Sequence, residues 1–137
     1  MTRESIKKIL KMLEESLEKL EPIAKMPLAE FIQSTVSQDI AKWNFYVVVQ
    51  GCLDLGNQVI AVKGLESPER YEEILAVLRK NNIISENLAA SLQGMGSFRN
   101  LIAHGYFKID LEKLFGYLKK LKDVRKYLEK LEPYLID

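Results

Sequence analysis

The sequence is poor in the residues that most often announce chemistry, with one cysteine, Cys52, and one histidine, His104, in 137 positions. A lone cysteine excludes an intrachain disulfide framework and a cysteine-rich zinc site, and it suits a reducing compartment. One histidine makes a poor metal site, and the GxxxxGK[ST] pattern of a phosphate loop is missing, so neither a metal nor another cofactor is expected. Charge of one sign is not in excess. Twenty Lys and Arg against 19 Asp and Glu leave +1. That argues against a strongly basic nucleic-acid-coating protein while leaving room for one small basic site. The longest purely apolar run, residues 45–49, is far shorter than the roughly 20 residues a membrane helix needs. Residues 2–8 are charged and lack the apolar core of a signal peptide. There is no repeat, low-complexity tract or linker, and the length fits about one domain of roughly 100–200 residues. A single cytoplasmic domain over residues 1–137 is expected.

What is present is helical patterning, punctuated by four prolines. Ile6, Ile9, Leu10, Leu13, Leu17 and Leu20 recur at helical spacing with Lys and Glu opposite, which predicts an amphipathic helix capped by Thr2 and stopped at Pro22. Pro22 and Pro27 bracket a connection, with one extra turn expected over 28–32. From 34 to 62 there is no proline and no strong turn signal. Residues 43–62 are apolar on most sides, so this helix must be central, covered by neighbours or by a second subunit. The cluster Val47-Val48-Val49 has strand character, but the missing turn residues favour helix. Gly51 and Gly56 each cost about 0.5–1 kcal/mol relative to alanine there, which points to close backbone approach. One polar stripe survives on this rod: Gln50, Asp54 and Asn57 at i, i+4 and i+7. It reads either as a solvated or loop-capping face or as the wall of a polar pocket.

Gly64 is a good stop for the long helix. Ser67-Pro68-Glu69 offers an N-cap, a proline at the first helical position and a first-turn acid, predicting a short helix from there to Lys80. Ser85-Glu86 opens the next helix, with Leu88, Leu92, Met95, Phe98, Leu101 and Ile102 on its apolar side. It is expected to run unbroken to His104, with Gly105 as a left-handed residue just past its end. Asp110 caps the last helix, whose buried stripe of Leu111, Leu114, Phe115, Leu118, Leu121, Leu128 and Leu131 ends at Pro133. Its other side carries Lys119, Lys120, Lys122, Arg125 and Lys126, a face that is usually only solvated, with nucleic-acid contact as the alternative. The fold expected is an all-α antiparallel bundle of about four main helices plus a short one.

The chemistry concentrates in Arg99-Asn100-Leu101-Ile102-Ala103-His104-Gly105-Tyr106. On a helix, Asn100 and His104 are i, i+4 neighbours, so the amide is placed to bond the imidazole. Arg99 lies about 140° from His104 around the axis, so the two converge only if a second copy crosses this helix end. Arginine suits a phosphate and the charge that builds on phosphorus during its transfer, and histidine suits proton transfer near neutral pH. Together they suggest phosphodiester chemistry without a metal. Against this, a lone histidine at a helix end is more often a cap than a catalyst.

The spacing Arg-x4-His-x-Tyr, here Arg99, His104 and Tyr106, resembles the signature of the HepT-like toxins within the all-α HEPN group. The run 98–106 is similar to that family's motif segment, the run 52–57 to its central helix, and the helix order and length also agree. The resemblance implies a cytoplasmic homodimer in which Arg–His motifs meet across the interface, and a metal-independent endoribonuclease acting on RNA. It implies that Arg99 holds the phosphate, that His104 acts as base or acid, and that Asn100 orients the site, with Asp54 and Asn57 at the pocket wall. It also implies a toxin–antitoxin module, with a minimal nucleotidyltransferase antitoxin that silences the toxin by transferring AMP to Tyr106. The competing reading is a non-catalytic helical module that binds a nucleotide or a protein, which accounts for the polar stripe but gives Tyr106 no role.

Overall fold

The computed structural model describes residues 1–105 and 108–135, and among these it holds eight α-helices and no strand. They are α1 (Arg3–Ala24), α2 (Leu28–Gln33), α3 (Thr35–Val62), α4 (Glu72–Lys80), α5 (Glu86–Ser91), α6 (Met95–His104), α7 (Leu111–Leu118) and α8 (Leu121–Leu135). The all-α expectation is met. The count is higher because two predicted helices are each broken in two.

α1 starts where predicted, with the Thr2 hydroxyl accepting from the Ser5 N–H at 3.0 Å. It runs two residues past Pro22, since a proline in the last turn forfeits one hydrogen bond without ending the spiral. α8 likewise continues through Pro133 to Leu135. α3 is the central rod, capped by Ser34 and packed against α1, α4, α6 and α8. By length and composition it is apolar enough to cross a bilayer, but 56% of that stretch is buried inside this protein. Both of its glycines mark close approaches. A Cβ on Gly51 would lie 2.7 Å from a Leu13 methyl of α1, and one on Gly56 would collide with the Tyr127 hydroxyl of α8. That hydroxyl donates to the Cys52 carbonyl at 2.8 Å, so the one cysteine sits fully enclosed and burial pushes its thiol up to about 12.

Three local expectations are corrected. Ser67-Pro68 does not begin a helix. Instead, Glu73 reaches back so that its carboxylate accepts from the Glu69 N–H at 2.9 Å, and α4 starts only at Glu72. The helix predicted from Ser85 to His104 breaks at Gly94, whose φ of 92° is left-handed and where a Cβ would lie 2.7 Å from the Tyr117 hydroxyl. Gly105 is not left-handed (φ −132°). A Cβ there would sit 3.1 Å from the Leu101 carbonyl oxygen, so the requirement is closeness rather than the sign of φ.

Asp110 caps α7 as expected, accepting from the N–H groups of Glu112 and Lys113. The break between α7 and α8 falls at Lys119-Lys120, and both lysines are tied down. Lys119 donates to the Ala24 carbonyl and Lys120 to that of Ser91. Arg125 pairs with Glu14 and Glu21 of α1. Much of the basic face of the last helix is therefore spent on joining elements.

Candidate active site

The site is built where α6 crosses α3. Arg99 is half-buried, and its guanidinium is held from three sides. Nε donates to Gln50 Oε1 at 2.6 Å, and Nη1 donates to Asn100 Oδ1 at 2.9 Å. The rings of Tyr46 and Tyr71 lie 5.8 and 4.8 Å from the guanidinium carbon, within cation–π range. Gln50 is itself fixed, because its Nε2 donates to Asp54 Oδ1 at 2.8 Å. Burial raises the Asp54 carboxyl above its ordinary value, while the Gln50 bond and the Arg99 charge pull it back. Among the described residues no carboxylate lies within ion-pair distance of Arg99. Its charge is held by neutral amides and ring faces, and Nη2 makes no hydrogen bond among those residues.

His104 lies in the last turn of α6 with its side chain exposed. Arg99 is turned inward to α3 instead, so the two do not form a pair within one chain. The amide bridge expected between Asn100 and His104 is absent among the described contacts, since the Asn100 oxygen accepts from Arg99. The polar stripe divides. Gln50 and Asp54 join Arg99, whereas Asn57, rotated about 60° from Asp54 around the helix, is exposed and lines a separate shallow hollow with Arg70 and Tyr71. Tyr106, the predicted modification site, lies outside the described residues.

Sequence reasoning missed both tyrosines. Tyr46 precedes Gln50 by four residues and so extends the same stripe by one turn, a signal that was there to be used. Tyr71 sits just before α4, and nothing local in the sequence ties it to Arg99.

Next to this network α3 carries an unusual face. Val36, Ile40, Trp43 and Val47 follow helical spacing into Gln50 and Asp54, and Val36 and Trp43 are 69% and 63% exposed. Trp43 and Tyr46 border a hollow of about 180 Å³ shared with Ile9 and Met12 of α1. An exposed apolar stripe that runs directly into a polar network is the kind of surface that marks an interface.

The family model described as Ribonuclease HepT-like matches residues 13–131. The chain is similar to an mRNA nuclease HepT of Shewanella oneidensis, 24% identical over 102 residues that span 74% of this chain and 77% of that protein. In fold it resembles YutE, a cytosolic protein of unknown function from Bacillus subtilis, with a TM-score of 0.82 and 19% identity over 98% of this chain and 91% of that one. It resembles equally a tri-AMPylated HEPN toxin of Shewanella oneidensis in complex with an MNT antitoxin, with a TM-score of 0.80 and 19% identity over 93% of this chain and 96% of that one. The family match spans most of the chain, including α3 and the Arg99–His104 motif, and the chain belongs to the ribonuclease HepT-like family.

Proposed function

We propose that this protein is the toxin of a toxin–antitoxin module, a metal-independent endoribonuclease of the cytoplasm whose site is completed by a second copy. The observation that carries this reading is Arg99: a half-buried guanidinium, oriented by amides and flanked by rings, with no carboxylate within ion-pair distance among the described residues. Such a group is ready for an anion, and its unbonded Nη2 is available to a phosphate oxygen. His104, exposed at the end of the same helix, faces away from Arg99. The α3 stripe from Val36 to Val47 offers the surface on which a second copy would bring its own His104 to this Arg99. The whole chain serves as one helical unit in that dimer.

In the reaction, His104 takes the proton of a ribose 2′-hydroxyl, and the 2′-oxygen attacks the adjacent phosphorus. The bond from phosphorus to the 5′-oxygen breaks and that oxygen takes a proton from water, giving a cyclic phosphate and a 5′-hydroxyl end, while His104 returns its proton to solvent. Arg99 stabilises the charge on the phosphoryl oxygens, Asn100 and Gln50 hold Arg99, and Asp54 fixes Gln50. Asn57 has a weaker claim, at the outer wall. A nucleotidyltransferase antitoxin transfers AMP to Tyr106 and so silences the toxin, a role supported by the AMPylated state of the related HEPN toxin.

Expression without an antitoxin is expected to arrest growth, and His104→Ala or Arg99→Ala to abolish the arrest. Arrest that persists in both folded variants would overturn the ribonuclease reading. With the nucleotidyltransferase and ATP, peptide mass spectrometry is expected to find adenylyl groups on Tyr106. An unmodified Tyr106 under those conditions would overturn the silencing step alone.

A further inference from the structure

Beside the Arg99 network lies a cleft of about 440 Å³, between α4 and the α5–α6 corner. Its two walls carry the same pattern. On α4, Glu72, Leu75, Ala76 and Arg79 follow i, i+3, i+4 and i+7. On α5 and the turn after it, Glu86, Ala89, Ala90 and Gln93 repeat that spacing. Each wall therefore offers an apolar middle with polar residues at both ends. One end is closed by Gly96, where a Cβ would lie 3.1 Å from the Glu72 backbone nitrogen, so α4 and α6 touch there. That same end is bordered by Tyr71, whose ring also carries the Arg99 guanidinium at 4.8 Å.

Three features fix the chemistry of an occupant. The middle is apolar, built from three alanines (Ala76, Ala89 and Ala90) and Leu75, which suits a flat group. The rim mixes acceptors (Glu72, Glu86) with donors (Arg79, Gln93) and carries no excess positive charge, which suits a neutral ring with polar edges rather than a phosphate. The cleft also begins where the Arg99 site ends, with one tyrosine ring between them. We propose that this cleft seats the base of the nucleotide adjoining the phosphate on Arg99, and that its rim selects guanine. Guanine alone among the four bases presents paired N–H donors that a carboxylate such as that of Glu86 accepts and paired acceptors, O6 and N7, that suit Arg79. This rests on the ribonuclease reading, and it makes the cleft the source of the enzyme's sequence preference.

The test uses full-length protein and RNA oligonucleotides that differ only in the base beside one scissile phosphate. Wild type is expected to favour guanine on one side of the cut by about tenfold or more in kcat/KM. Glu86→Gln, a residue outside the Arg99 contacts, is expected to bring the four bases within about threefold of one another while cleavage continues. Ala90→Trp, a change at an exposed position that fills the cleft, is expected to raise KM for every substrate. Circular dichroism and melting confirm that both variants are folded. As a readout independent of cleavage, His104→Ala protein should bind a 2′-O-methyl guanosine dinucleotide, and adding Ala90→Trp should abolish that binding. Unaltered preference and binding in both cleft variants would overturn the proposal while leaving the ribonuclease reading intact. So would loss of antitoxin binding in Ala90→Trp with RNA cleavage unchanged, which would make the cleft a protein-docking site. Dinucleotide binding that depends on the cleft, in a protein that cleaves no RNA, would overturn the ribonuclease reading and leave the base seat standing.

Discussion

In the proposed site Arg99 acts through its neighbours. Its Nε is committed to Gln50 and its Nη1 to Asn100, so the unbonded Nη2 is presented in a fixed direction at little further entropic cost. Lysine has a point charge and no fork, so Arg99→Lys is expected to lower kcat/KM on RNA about a hundredfold. Gln50→Leu, which leaves Arg99 present but unaimed, is expected to lower it about tenfold. Steady-state cleavage with folded variants checks both, and equal activity of Arg99→Lys and wild type would show that the guanidinium fork is not needed.

Asp54 has a different signature. Burial raises its carboxyl above the ordinary 3.8, so the folded chain holds that proton more tightly than the unfolded chain does. The stability tied to the proton is complete below about pH 3.8 and is lost as pH rises through the folded value. Asp54→Asn keeps an acceptor for Gln50 and carries no charge to desolvate. Its melting temperature is expected to exceed that of wild type at pH 7, and the gap to close as pH falls toward 4. A gap that does not change with pH would show that Asp54 is not destabilised by its surroundings.

Among the elements, α3 decides most. It supplies the core rod, half of the Arg99 network and the exposed stripe that leads to it. Val36 and Trp43 are mostly exposed in one protomer, so charges there do not disturb its core. The double variant Val36→Glu, Trp43→Glu is expected to convert dimer to monomer in analytical ultracentrifugation, with helical content unchanged and cleavage lost. A dimer that survives would place the interface elsewhere.

α3 was also the most legible element in the sequence. Its length follows from composition and spacing, which are local properties, and its two interior glycines hinted at close approach, although their partners, Leu13 and Tyr127, appear only in the fold. The breaks at Gly94 and at Lys119-Lys120 were not legible. Each is set by a distant partner, Tyr117 in the first case and the carbonyls of Ala24 and Ser91 in the second. The false start at Ser67-Pro68 has the same origin, as good capping residues lost to a Glu73 side chain that reached back first. The site followed the same division. The split of Arg99 from His104 could be read from helix angles, whereas the meeting of Arg99 with Tyr71 required the fold.

At the scale of the whole molecule, one chain holds an aimed arginine and an exposed histidine on different sides of one helix. In the symmetric dimer we propose, that separation would become two composite sites, each with Arg99 from one copy and His104 from the other. Two inactive variants would then complement one another. In a heterodimer of Arg99→Ala and His104→Ala chains, one site carries both lesions and the other carries neither. Mixing the two separately inactive proteins, after dissociation and reassembly, is expected to restore about half of the wild-type cleavage rate per heterodimer. If the mixture stays as inactive as its parts, with heterodimers confirmed by native mass spectrometry, Arg99 and His104 do not act across an interface and the composite site is wrong.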